Sequence, residues 1–230
     1  MSAITMPKNP VTRELLSQDI LNEWQSLLDE TADLLGVPAG LITRVDGNEI
    51  EILLSSHTKG NPYPANFISQ YPDSGWYCEY TLKSRAVNLI PNALREQAWK
   101  DNEAAVKLGI ISYAGMPIQR PDGGTFGTVC FLDNKSNAHN DLHLVIIKQV
   151  KRMIELSLRV VMANAEVKKC DRFLDNLSKI YPICSYCKKV REDSGEWVSV
   201  EKYVNDISGA KPTHSICPDC FERELSKLED

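Results

Sequence analysis

Ile111-Ser-Tyr-Ala-Gly-Met-Pro-Ile-Gln-Arg-Pro-Asp-Gly-Gly-Thr-Phe-Gly-Thr-Val-Cys-Phe-Leu-Asp133 reads as two β-strands and the turn that joins them. Residues 111–119 form one apolar run and 125–132 a second, with small residues at Gly127 and Thr128. Arg120-Pro-Asp-Gly-Gly124 between them carries the residues that turns require. Upstream, 40–45 and 49–55 make another pair of β-like runs around Asp46-Gly47-Asn48, a short hairpin signal. Ahead of both lies a helical pattern from Thr12, with Leu15, Leu16, Ile20, Leu21, Trp24, Leu27 and Leu28 at three- and four-residue steps, closed by Gly36 and Pro38. Residues 56–75 read as a long loop in which Pro62, Pro64 and Pro72 exclude a regular element. A short helix at 75–85, a strand at 86–90, a broken helical stretch at 92–108 and a long helix from Asn140 towards Ile180 complete the order. That order predicts an α+β fold: an antiparallel sheet with helices packed on one side.

The composition is that of a soluble globular chain, with 43% hydrophobic and 25% charged residues. A formal charge of -5 argues against a general nucleic-acid binder, and residues 181–230 repeat the point with seven Lys/Arg against ten Asp/Glu. No segment approaches the roughly 20 apolar residues needed to span a bilayer. The first residues lack the apolar core of a secretory signal. Seven cysteines, an odd number, suit a reducing compartment, so a cytoplasmic protein is expected.

The long helix carries Ile147, Val150, Ile154, Leu158, Val161 and Ala165 on one stripe, and its first half is expected to pack on the sheet. A shorter stripe follows at Phe173, Leu174, Leu177 and Ile180. A helix leaving its domain with an apolar edge predicts a homodimer, although no heptad persists long enough to read as a coiled coil.

Cys184-Ser-Tyr-Cys187 and His214-Ser-Ile-Cys217-Pro-Asp-Cys220 form two Cys-x-x-Cys pairs. Two such turns, brought side by side, offer four thiolates to one tetrahedral Zn2+ ion. The 29 residues from 188 to 216 exceed the common spacing of about 15–20. Trp197, Val200, Tyr203 and Val204 mark an inserted strand or helix there. A dithiol redox switch is the alternative, and His214 is a possible substitute ligand. A c-type haem is excluded, because the histidine precedes the pair. The expected zinc is structural. Residues 1–11, with Pro7 and Pro10, read as a flexible leader, 12–150 as the α+β domain, 151–180 as a helical connector and 181–230 as the zinc module.

The 111–133 run resembles the paired C-terminal strands of a bacterial GAF domain, where a strand ending in Pro-Ile, a glycine turn and a strand ending in Asp precede the last helix. Trp76-Tyr-Cys-Glu-Tyr-Thr-Leu-Lys-Ser-Arg-Ala-Val-Asn-Leu-Ile-Pro-Asn-Ala93 is similar to the segment these domains place over their pocket. The resemblance spans roughly residues 12–160. The cysteine-rich C-terminal block resembles a zinc-ribbon-like tail found after sensor or receiver domains of bacterial signalling proteins.

The GAF resemblance implies a cavity above the sheet for a small-molecule ligand, and the candidate lining residues are Phe67, Trp76, Tyr77, Cys78, Tyr80, Trp99 and Tyr113. Some GAF-like proteins reduce free methionine sulfoxide. Here Glu79 beside Cys78 and the apolar strand around Cys130 argue against a reactive thiolate, and no enzymatic role is expected. Tetrapyrrole attachment would call for a histidine beside the cysteine, and Cys78 has none. The reading is a dimeric signal-transduction protein: ligand in the pocket biases the loop at 56–85, the last helix shifts, and the zinc tails move. Its alternatives are a ligand-free interaction scaffold docking a signalling partner, and a thiol-based redox or zinc sensor.

Overall fold

The computed structural model describes residues 9–136, 141–178 and 182–227. In chain order these form α1 (Gln18–Leu35), β1 (Ala39–Asp46), β2 (Glu49–Ser55), β3 (Ile68–Gln70), α2 (Tyr77–Ser84), β4 (Asn88–Ile90), α3 (Glu103–Leu108), β5 (Ser112–Gln119), β6 (Thr125–Asp133), α4 (Asp141–Ser178), β7 (Val190–Arg191), β8 (Trp197–Val198), α5 (Val200–Ser208) and α6 (Pro218–Ser226). The chain divides into two compact units, Met1–Ala165 and Glu166–Asp230. Residues 1–8 of the expected leader, the helix start at Asn137 or Asn140 with His139, and the side chains of Phe173, Leu177 and Ile180 lie outside what is described.

In the first unit six strands pair antiparallel in the order β3-β2-β1-β6-β5-β4. Both faces are covered, and the one-sided arrangement expected from the element order is corrected. On one face α1 (Trp24, Leu28, Ala32) and the first half of α4 (Ile147, Val150, Ile154, Leu158) bury Ile42, Leu53, Met116, Val129 and Phe131. On the other, α2 and its flanking loops bury Leu41, Ile52, Tyr113, Cys130 and Leu132. Strand alternation divides the two sets, since neighbours in sequence point to opposite faces.

One residue breaks the alternation for a structural reason. The register runs Ile118↔Gly127 and then Gln119↔Thr125, so Phe126 is the extra residue of a β-bulge. The bulge returns Phe126 to the α1 face, where its ring meets Trp24 edge-on at 6.0 Å. Gly127 follows because β1 passes too closely for a side chain: an added Cβ would fall 1.7 Å from the Thr43 carbonyl oxygen.

Local chemistry sets the helix ends. Ser17, not Thr12, caps α1, its hydroxyl accepting from the Ile20 N–H at 3.4 Å, while residues Arg13–Leu15 form a separate 3-10 turn. Gly36 ends α1 in the left-handed region at φ 64°. The described end of the leader is docked: Val11 is buried, and the Asn9 amide donates to the Val45 and Phe126 carbonyls at 3.0 and 3.3 Å. The 56–75 loop does contain a strand, because Pro62, Pro64 and Pro72 flank β3 and leave its backbone free to pair with β2.

As expected, the first half of the α4 stripe packs on the sheet, and Val161 continues it: Ile147, Val150, Ile154, Leu158 and Val161 are all buried. At about 1.5–3 kcal/mol per fully buried large apolar side chain, this row fixes α4 to the sheet. A different row, Met153, Leu156, Val160, Val167 and Leu174, leaves each side chain more than half exposed.

Candidate functional site

The α2 face of the sheet holds a cavity of about 290 Å3. Its floor is Leu41 and Ile52 from the central strands with Leu132 from β6; Pro62, Tyr63, Pro64 and Phe67 of the long loop close one side. Trp76, Tyr77 and Cys78 at the start of α2, and Asn102, Glu103, Lys107 and Leu108 around α3, close the other. Of the seven residues singled out from sequence, Phe67, Trp76, Tyr77 and Cys78 line this cavity, and Tyr80, Trp99 and Tyr113 do not. Tyr113 is fully buried in the core. Trp99 bridges two neighbours edge-on, Tyr77 at 5.3 Å and Tyr80 at 5.6 Å, and so supports the wall from behind. Tyr63 and the α3 residues escaped sequence reading, because lining from a loop and a six-residue helix leaves no periodic signal.

Phe67 and Trp76 stack at 5.9 Å with their planes 26° apart, forming an aromatic edge on the cavity. Burial pushes the Tyr63 hydroxyl well up, and burial with Glu96 nearby pushes Tyr77 up to about 12, so both stay neutral. Asn102 ties the two walls together: its amide donates to the Gly75 carbonyl at 2.7 Å while its oxygen caps α3 at Ala104 N–H, 3.0 Å. The cavity is thus apolar and aromatic, with a small polar rim at Asn102, Glu103 and Lys107, the form of a small-molecule site.

Glu79 holds the segment leading into that wall. Its carboxylate accepts the Asp73 N–H at 3.0 Å, the Ser74 N–H and hydroxyl at 2.7 Å each, and the Lys83 ammonium at 2.5 Å. Burial alone would raise its pKa; the Lys83 bond and these donors outweigh burial and hold it down at about 2.

Behind the wall, Cys78 Sγ and Cys130 Sγ lie 3.5 Å apart, both fully enclosed by the α2-side core. The two thiols share one favoured charge. The Cys130 thiol, with the Thr128 and Tyr113 hydroxyls, holds Cys78 below the usual cysteine range. Burial, and then the bond to Cys78, push Cys130 up. Tyr113 Oη contacts Thr81 Oγ1 at 2.8 Å, and its ring lies over Gly115, where a Cβ would fall 2.0 Å from the phenol oxygen.

In the second unit the two Cys-x-x-Cys turns differ in build. Cys184 N–H donates to the Lys189 carbonyl at 2.9 Å and Lys188 N–H to the Cys184 carbonyl at 3.0 Å, with Lys188 left-handed at φ 58°. The backbone N–H groups of Cys187 and Tyr186 lower the Cys184 thiol pKa. Cys217 is the N-cap of α6, with Pro218 next, and the Cys220 N–H lowers its thiol in turn. Arg223 Nη2 reaches Cys220 Sγ at 3.4 Å. His214 lies exposed, 3.4 Å from Glu201 Oε1. Among the described residues no three His, Cys, Asp or Glu side chains are gathered as a metal site. Val190 and Val198 are the only buried apolar side chains described in this unit.

Residues 19–158 match the family model for the GAF domain, and the chain belongs to that family. GAF domains are typical of signalling sensor proteins. Similar solved structures include the blue-light absorbing form of the Thermosynechococcus elongatus PixJ GAF domain, with TM-score 0.52 and 11% identity over 71% of this chain and 99% of that one. The chromophore-binding domain of an unusual bacteriophytochrome from R. palustris aligns with TM-score 0.53 and 12% identity over 66% of this chain and 59% of that one. A far-red cyanobacteriochrome photoreceptor aligns with TM-score 0.50 and 12% identity, over 65% and 90%. At such identities the likeness is one of fold. No curated protein matches the chain. No described helix is long and apolar enough to cross a membrane.

The Glu79 anchor gives a pH signature. Because its folded pKa lies near 2 against an ordinary 4.5, its contribution is complete above about 4.5 and disappears as pH falls towards 2. Glu79→Gln is expected to cost about 1.5–3 kcal/mol in urea unfolding at neutral pH. The same substitution flattens stability loss between pH 4.5 and 2. An unchanged acid limb in the variant rules the anchor out.

Proposed function

We propose that this chain is a non-enzymatic, dimeric sensor whose GAF domain takes a small, mainly apolar ligand and passes the change through α4 to a zinc-held C-terminal module. The cavity carries this reading: about 290 Å3, aromatic at its edge, with a few polar groups at the rim to orient an occupant. Relay follows from β6. Cys130 and Leu132 belong to the core on the cavity side, while Val129 and Phe131 pack in the core that holds α4. A ligand that spreads the cavity wall acts on α4 through a single strand, provided it binds one arrangement more tightly than the other.

The probe for the cavity is an apolar fluorescent dye, 8-anilinonaphthalene-1-sulfonate. Saturable binding at one site per chain is expected, weakened about tenfold, or 1.4 kcal/mol, by Trp76→Ala. Tyr80→Ala, outside the lining, leaves it unchanged. Equal weakening by both variants, or no saturable binding, refutes the site.

Dimerisation is assigned to the exposed row of α4. Met153, Val160, Val167 and Leu174 recur every seven residues, and Leu156, Ala163 and Cys170 form the companion series three residues on. These are the a and d positions of a coiled coil, and valines at a favour a parallel pair. This exposed row is offset from the stripe that meets the sheet. Val160→Glu with Val167→Glu is expected to convert a dimer to a monomer in analytical ultracentrifugation without altering the GAF domain's melting. A wild-type monomer, or a dimer that survives both charges, sinks the assignment.

For the tail, the donor set fits a structural Zn2+: two thiol pairs, each with backbone N–H groups aimed at its first sulfur, in a module with almost no buried apolar core. Cys184, Cys187, Cys217 and Cys220 would hold the ion, which supplies a cross-link that the side chains do not. About one zinc per chain is expected. Cys184→Ser and Cys217→Ser each lose it, and chelation unfolds the tail while sparing the GAF domain. Metal-free protein with an equally folded tail overturns the assignment, and disulfides in place of zinc favour the redox reading.

A further inference from the structure

The Cys78–Cys130 sulfur pair is unused by ligand sensing, and it has the parts of a reactive site. Cys78 is one of the residues that line the cavity. Cys130 stands directly behind, at 3.5 Å. Cys78 sits one residue into the eight-residue helix α2, where free backbone N–H groups favour a thiolate. Glu79, the neighbour that sequence reading set against such a thiolate, is spent on Asp73, Ser74 and Lys83. Adjacent positions of a helix do not face each other. Tyr113 is kept protonated by burial and so remains a hydrogen-bond donor beside the sulfurs.

We propose that Cys78 and Cys130 form a redox switch: a small organic hydroperoxide entering the cavity oxidises the pair once, stoichiometrically, to a disulfide. Cys78 gives up its proton, and its sulfur attacks the terminal oxygen of the hydroperoxide. The O–O bond breaks, an S–O bond forms, and the alcohol leaves with that proton. Cys78 is then a sulfenic acid, two electrons oxidised. The Cys130 sulfur attacks the Cys78 sulfur; S–S forms, S–O breaks, and hydroxide leaves as water with the Cys130 proton. Two thiols and one hydroperoxide thus yield one disulfide, one alcohol and one water. Two equivalents of a small thiol reverse the disulfide by exchange and are themselves oxidised. The disulfide ties α2 to β6 at the wall of the cavity. The site uses the cavity only as an entry route and does not require a regulatory ligand there.

The test treats the full chain with equimolar cumene hydroperoxide and follows each cysteine by differential alkylation and mass spectrometry. Cys78 and Cys130 are expected to lose their thiols together and appear as one cross-linked peptide. Both are expected to be consumed ahead of exposed Cys170, since Cys78 lines the cavity and Cys130 stands 3.5 Å from it, ready to close the disulfide. Cys130→Ser stops the reaction at a dimedone-reactive Cys78, while Cys78→Ser leaves Cys130 reduced; circular dichroism checks that both variants fold. The proposal is overturned if wild-type Cys78 and Cys130 stay reduced while Cys170 oxidises. It is equally overturned if the pair reacts only in urea.

Discussion

Strand β6 has no solvent face: every residue of it from Phe126 to Asp133 is buried. Its side chains alternate between two cores, one beneath α1 and α4 and one beneath α2 and the long loop. Much else depends on that double burial. The sheet's two central strands, β1 and β6, are therefore apolar over most of their length, and the buried hydroxyls of Thr43 and Thr128 satisfy each other at 2.8 Å. The long loop and α2 have an apolar surface to lie on, so they enclose a cavity in place of dangling from the domain. And α4 is seated on the strand whose other face meets the cavity floor, so residues adjacent in β6 touch the two sides.

What was legible follows the range of each signal. The turn at Asp122-Gly123-Gly124 and the strands around it were readable because alternation, turn residues and chain reversal act over a few residues. The start of α1 was misplaced at Thr12, since Val11 and Leu16 are buried beside the helix and continue its apolar pattern without belonging to it. Strand β3 was hidden among prolines. On α4 two apolar rows run side by side, and periodicity singles out the one whose first half meets the sheet. The structure shows that Ile147, Val150, Ile154 and Leu158 are taken. The contact between Cys78 and Cys130 was beyond sequence altogether: the two lie 52 positions apart, on a helix and on a central strand, and neither carries a local mark of the other.

The C-terminal unit is governed by the opposite physics. A domain with two buried cores can spend side chains on a cavity; a module whose described buried apolar side chains are Val190 and Val198 cannot hold a shape by area alone. Its local elements are nonetheless well specified. Ser199 caps α5 with its hydroxyl 3.2 Å from the Lys202 N–H, Gly209 closes it, and Pro218 starts α6. Good local rules with few described buried apolar side chains make a segment to which the proposed Zn2+ cross-link would add tertiary order.

Five of the seven thiols illustrate three physical settings, and the setting, more than the residue type, decides their chemistry. Cys184 is half-buried and Cys217 exposed, and backbone N–H groups in tight turns favour the thiolate at each while leaving it within reach of a cation. Cys170 is exposed with its sulfur in water on a helix face. Cys78 and Cys130 are the two buried cysteines among those described, and each has the other's sulfur at 3.5 Å. In a dry site charge cannot be spread into solvent, so one sulfur can become anionic only if the other keeps its proton and donates it. That asymmetry is what distinguishes an attacking thiol from a resolving one, and it needs no basic residue. It also explains why a motif search for a lysine, arginine or histidine beside the cysteine finds nothing here.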